Sequence, residues 1–179
     1  MCKVKIKEII SISKEEILEK YQDMDKDFSN IIEKLYAGDY ASFEMNNIIK
    51  EHKNDYSKLK YLKGKTGCYM FLCDDGIPIY IGIGGKEVGG CDLYERITQQ
   101  CGGVSDTGAN LSKNIQDIDR LFVKKEKKKE ITPEYSTNKK KTFYLIPIVV
   151  GDVTEEEDVE KAKALETILI ALFHPKYNK

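Results

Sequence analysis

Hydrophobic positions recur along the chain in two periods. Ile17, Tyr21, Met24, Phe28, Ile31 and Leu35 fall three or four residues apart, the stripe of an amphipathic helix. Ser13, with Glu16 three residues on, forms a capping box before it, and Gly38 is its stop. A second stripe of Met45, Ile49, His52, Tyr56 and Leu59 follows Ser42, so residues 1–62 read as a helical extension, with His52 as a packing residue. The period then changes. Two short β-rich runs, Thr66–Cys73 and Ile77–Gly82, flank Asp74-Asp75-Gly76, which predicts a hairpin. With an even loop, Tyr69 and Tyr80 share one face, opposite or diagonal. Gly82 lies on that face and lets something approach the backbone.

Further on, Asp92 is placed to cap a helix starting at Leu93 and ended by Gly102-Gly103. Leu111, Ile115, Ile118 and Leu121 or Phe122 predict another over about 110–122. A third strand runs from Thr142 to Val150. Pro147 within it points to an edge or a bulge. Thr154 and Glu157 form a second capping box, and the following helix carries Val159, Ala162, Glu166, Leu169 and Phe173 on one stripe. Glu166 puts a carboxylate on an apolar face, which requires a cation, hydrogen bonds or a metal. His174, before Pro175, reads as a cap or packing residue.

Composition narrows the chemistry. At 179 residues the chain supports one core. No apolar run is long enough to span a membrane, and the start lacks a signal peptide's apolar stretch. Cys2, Cys68, Cys73, Cys91 and Cys101 make no Cys-x-x-Cys pair, and only two histidines are present. This argues against zinc and fits a reduced cytoplasm. The net charge of −1 gives no global attraction to nucleic acid. Local attraction is another matter: Lys124, Lys125, Lys127, Lys128 and Lys129, with Lys139 to Lys141, form a basic insert over 124–141. Such a run is first a solvated loop, and close to a polyanion it supplies affinity by counterion release. Of 29 basic residues only Arg96 and Arg120 are arginines, so position 96 calls for a guanidinium. Lys63-Gly64-Lys65-Thr66-Gly67 lacks P-loop spacing and leads into a strand.

Together these residues resemble the GIY-YIG nuclease family. Gly67-Cys68-Tyr69 matches its first motif, with Cys68 where Ile or Val is usual, and Tyr80-Ile81-Gly82 matches its second. Arg96 matches the helical arginine, Glu166 the helical glutamate, and Asn178 the asparagine of a Pro-x-Tyr-Asn ending. The resemblance covers roughly residues 64–179. Ile83 stands where many members carry a lysine, and Gln100 where restriction-type members carry a histidine.

The resemblance implies a small α/β fold: a three-stranded antiparallel sheet flanked by helices, with 1–62 appended to a nuclease domain over 63–179. It implies phosphodiester hydrolysis with Mg2+ or Mn2+ held by Glu166, phosphate gripped by Arg96, and Asn178 orienting its neighbours. Tyr69 is the favoured base and Tyr80 the orienting donor. Candidate nucleic-acid contacts are Gly82, Lys86, Gln100 and the lysines at 124, 125 and 127 to 129. The expected partner is double-stranded DNA, cut by a cytoplasmic, restriction-type homodimer. The alternatives are a structure-specific or repair nickase of the same family and a nucleic-acid-binding module without catalysis.

Overall fold

The computed structural model describes residues 26–48, 55–72, 78–85, 90–102 and 144–178. The first helix, α1, spans Lys26–Ala37. It buries Ile32, Leu35 and Tyr36, with Phe28 and Ile31 packed beside them. Gly38 ends it as expected: the Gly38 N–H bonds to the Leu35 carbonyl at 3.2 Å and the Asp39 N–H to that of Lys34 at 3.0 Å, a double closure that satisfies two terminal carbonyls. The first capping box and the earlier half of this stripe lie outside the described residues.

The second expected helix is not continuous. Phe43–Glu44 is instead a short strand, β1, followed by a 3-10 turn at Met45–Asn47. A further 3-10 helix covers Ser57–Leu62. Burial explains why the apolar spacing misled: Met45, Ile48 and Leu59 do face the core, but Phe43 and Glu44 pair with Leu145 and Tyr144. Residues 49–54, with His52, lie outside the described residues.

Three longer strands complete the sheet: β2 at Lys65–Leu72, β3 at Pro78–Gly84 and β4 at Tyr144–Asp152. The order is β1-β4-β2-β3, antiparallel throughout. The expected three-stranded sheet thus gains a two-residue fourth strand. Pro147 pairs with Tyr69 beyond the two residues that β1 covers, where no other described strand pairs with β4 and a missing N–H is tolerated. The Asp74-Asp75-Gly76 turn lies outside the described residues.

Helices cover both faces of the sheet. Cys68, Met70, Leu72, Ile81, Ile146 and Ile148 pack with α1 and with α3, which spans Glu156–Phe173. On the other face Tyr69, Phe71, Tyr80 and Leu145 pack with α2, at Leu93–Gly102, and with Met45, Ile48, Leu59 and Leu62. The described part of the expected 1–62 extension therefore shares both cores with the sheet.

Two caps decide how the helices sit. Asp92 Oδ1 accepts from the Glu95 N–H at 2.8 Å, the cap expected for α2, while its Oδ2 accepts from the Gly64 N–H at 2.7 Å. The Thr154–Glu157 box does not form, because α3 starts at Glu156 with no side-chain cap. Asp158 turns back instead and accepts from the Asp152 N–H at 2.9 Å. The helix expected at 110–122 and the 124–141 insert lie outside the described residues.

Candidate active site

Tyr69 and Tyr80 share a face because of the strand register. Tyr69 stands opposite Gly82 and Phe71 opposite Tyr80, so the two tyrosines are diagonal neighbours with ring centroids 6.1 Å apart. Phe71 meets the Tyr69 ring edge-on at 5.7 Å. A Cβ at Gly82 would collide with the hydroxyl end of Tyr69. The glycine of the second motif therefore makes room for the tyrosine of the first. The approach expected at Gly82 is that of the Tyr69 ring, and Gly82, buried beneath it, offers no surface to nucleic acid. Gly67 has φ +154°, and a Cβ there would strike the Ile148 carbonyl. Cys68 points to the opposite face, where its Sγ donates to the Ala162 carbonyl at 3.3 Å. A small buried thiol serves in place of Ile or Val there.

Arg96 comes from the first turn of α2, and its N–H bonds to the Asp92 carbonyl at 2.9 Å. Asp92 thus fixes the turn carrying Arg96 and ties it to the residue before β2. Glu166 comes from α3. The buried stripe of that helix is Val159, Ala162, Leu165, Leu169 and Leu172, so Glu166 flanks the apolar face instead of interrupting it. Both α2 and α3 pack on β2 and β3 from opposite faces, yet Arg96 and Glu166 both act electrostatically on the two phenols.

Their electrostatics are mutual. Burial pushes the Tyr69 phenol well above its ordinary range; Tyr80 and Glu166 add to this, and Arg96 opposes it. Tyr80 is raised by burial, with Arg96 and the Tyr69 hydroxyl pulling it back down. Glu166 is raised by burial and lowered by Arg96. The Tyr69 hydroxyl and Arg96 Nε are buried with no hydrogen-bond partner among the described residues. Even so, the Tyr69 hydroxyl lies near enough to Tyr80 that its proton favours ionisation of Tyr80 over its own. Lys65, at the start of β2, pairs with Asp152 and is not the cation that acts on the tyrosines. That cation is Arg96.

Asn178 commits both ends of its amide to one residue. Its Nδ2 donates to the Ile81 carbonyl at 2.6 Å, and its Oδ1 accepts from the Ile81 N–H at 2.8 Å. The Tyr177 N–H adds a bond to the Ile79 carbonyl at 2.9 Å. The tail thereby pins β3 between Tyr80 and Gly82, which is an orienting role. Gln100 does not reach a surface: it is wholly buried on α2, which corrects its expected place as a nucleic-acid contact. Lys86, Lys124, Lys125, Lys127, Lys128 and Lys129 lie outside the described residues. Sequence reasoning missed that Asp92 also binds Gly64, and that the buried Thr66 hydroxyl donates to the Gly84 carbonyl at 2.8 Å.

Among the described residues no cluster of three or more His, Cys, Asp or Glu side chains could hold a metal. One half-buried carboxylate beside a guanidinium and an orphaned phenol still suits magnesium, which keeps most of its waters and needs few protein oxygens. Compared with protein-family models, curated proteins and solved structures, the chain finds no match.

Proposed function

We propose that the protein is a metal-dependent endonuclease of the GIY-YIG kind, hydrolysing phosphodiester bonds of double-stranded DNA as a type II restriction enzyme does. One observation carries this reading. Tyr69, Tyr80, Arg96 and Glu166, spread over β2, β3, α2 and α3, lie close enough that Arg96 and Glu166 act on both phenols and Arg96 acts on Glu166. A structural ion pair would account for Arg96 and Glu166 but not for two phenols beside them.

The division of labour follows from burial and charge. Arg96 offers a planar fork to the oxygens of a phosphate, and its buried Nε needs such an acceptor. Glu166 would hold Mg2+ or Mn2+, which when bound neutralises charge developing on the phosphate. A water oxygen attacks phosphorus while its proton passes to a phenolate, and the P–O bond to the departing sugar oxygen breaks, that oxygen taking a proton from solvent water. Tyr80 suits the proton-taking role better than Tyr69, the reverse of the expectation from sequence. Tyr69 is wholly enclosed while Tyr80 keeps a little exposure, and burial raises both phenols. Asn178 keeps Tyr80 in place through Ile81.

Glu166→Gln tests the reading, because it removes the charge while nearly keeping the shape. Plasmid cleavage in magnesium should fall by about 100-fold or more, with DNA binding retained. Near wild-type cutting would remove Glu166 from the metal. Discrete linear fragments from the unaltered chain favour restriction, nicked circles a nickase, and binding without cutting a non-catalytic module.

A further inference from the structure

The 3-10 helix at Ser57–Leu62 has a surface that the site does not use. Three residues per turn place i and i+3 in one column. Leu59 and Leu62 form the inward column, both fully buried. Lys60 lies in a second column, continued just past the helix end by Lys63, and Lys58 and Tyr61 form a third, all four exposed. Tyr61 is 52 % exposed, one of two large apolar side chains so placed among the described residues. No ion pair joins Lys58, Lys60 or Lys63 to a carboxylate among the described residues. By contrast Lys161 and Lys163 on α3 are paired with Glu157 and Glu160.

This surface is anchored to the helix that carries Arg96. The Lys63 ammonium sits over the Tyr94 ring, 5.0 Å from its centroid, and Tyr94 is two residues from Arg96 on α2. The next residue, Gly64, is bonded to Asp92, the cap of that helix. The 3-10 helix itself packs on α2.

We propose that Lys58, Lys60, Tyr61 and Lys63 form a phosphate-contacting surface that holds duplex DNA along α2, the helix that carries Arg96. The proposal rests on the nuclease reading and deepens it by assigning the nucleic-acid contact. Ammonium groups with no carboxylate partner among the described residues attract backbone phosphates without reading sequence, and the half-exposed Tyr61 beside them adds a side chain able to donate to the same backbone. The fold thereby supplies a basic surface to a chain whose net charge is −1.

The test measures binding of a short DNA duplex over a range of salt. The chain carries Glu166→Gln so that it cannot cut, and is compared with the same chain also carrying Lys58→Glu, Lys60→Glu and Lys63→Glu. The triple change should weaken binding by at least about 10-fold at moderate salt. It should also flatten the slope of log affinity against log salt by about 2 to 3, since each phosphate contact contributes about 0.9. Lys161→Glu with Lys163→Glu should leave the slope unchanged. Lys58→Gln, Lys60→Gln and Lys63→Gln, which add no repulsion, should give the same flattening, and circular dichroism confirms that each variant is folded. Equal slopes in the triple variants and the unaltered surface would overturn the proposal while leaving the nuclease reading intact. An equal loss from the α3 pair would overturn it as well. A wild-type chain that neither binds nor cuts duplex DNA would sink both.

Discussion

The two faces of β2 carry different work although both are buried. Cys68, Met70 and Leu72 face α1 and α3, where Ile32, Leu35, Leu165 and Leu169 close around them. The polar Cys68 thiol finds a carbonyl there. Tyr69 and Phe71 face α2, where the Tyr69 hydroxyl and Arg96 Nε have no partner among the described residues. Buried polar atoms are nearly always paired in native proteins, and exceptions concentrate where a ligand or a reaction completes them. Period-2 alternation along one strand thus separates a holding face from a reacting face, one residue apart. Successive substitutions along β2 should therefore alternate between losing stability and losing activity.

The largest effect should come from the phenols. Phenylalanine keeps the ring and removes the hydroxyl alone. Tyr80→Phe should slow cleavage by on the order of 100- to 10,000-fold, the usual loss for a general base. It should also abolish the alkaline rise of the pH–rate profile, a rise set above the ordinary tyrosine range because burial outweighs Arg96 at both phenols. Tyr69→Phe should be milder and keep the rise, shifted upward, because Tyr80 loses a neighbouring hydroxyl that helps it ionise. The opposite pattern in the two profiles would give the proton to Tyr69. Arg96→Lys should follow, at about 10- to 100-fold, since a bidentate contact is lost while the charge stays. Unchanged turnover in that variant would reduce Arg96 to packing.

On the holding face the sign of the experiment reverses. Met70 is fully buried between the sheet and its helices. Met70→Ala should cost about 2 to 5 kcal/mol of unfolding free energy, read from the denaturant midpoint. Turnover per folded molecule should change by no more than about threefold, a difference of under 1 kcal/mol. A stable Met70→Ala chain with little activity would erase the distinction between the faces.

Which parts were legible in the sequence follows from the range of the contacts involved. Gly38, the Asp92 cap and the diagonal placement of Tyr69 and Tyr80 all depend on residues near in sequence or on strand alternation. These were read correctly. The expected helix after Ser42 failed because pairing with β4, about a hundred residues away, overrides local spacing at Phe43 and Glu44. The Thr154 box failed because Asp158 is drawn to the end of β4. At the site, the strand spacing placed Tyr69 and Tyr80 near each other, but nothing in the spacing showed the environment of each candidate residue. Gln100 looked available by its position and is enclosed, and the room Gly82 makes is taken by Tyr69. A string of residues records neither enclosure nor which cation reaches which phenol.

The smallest prediction concerns the stability cost of keeping a carboxylate at this site. Burial raises the Glu166 pKa despite the opposing pull of Arg96, so the folded chain holds that proton more tightly than the unfolded chain does. Folding then takes up a proton as pH rises from the ordinary carboxylate range toward the raised value, and stability falls through that window. Below the window both states are protonated and the penalty is absent; above it the full penalty remains. Glu166→Gln has no charge to bury. It should melt at a higher temperature than wild type near about pH 8, and the two curves should converge below about pH 4. Because the side chain is only half-buried, solvent screening limits the gain to at most about 1 kcal/mol, or about 2 to 4 °C for a chain of this size. Magnesium or manganese should narrow the gap at high pH by binding the wild-type carboxylate and stabilising only that chain. Matching melting temperatures at both pH values would place the Glu166 carboxylate in water and remove it from the buried surroundings of the phenols.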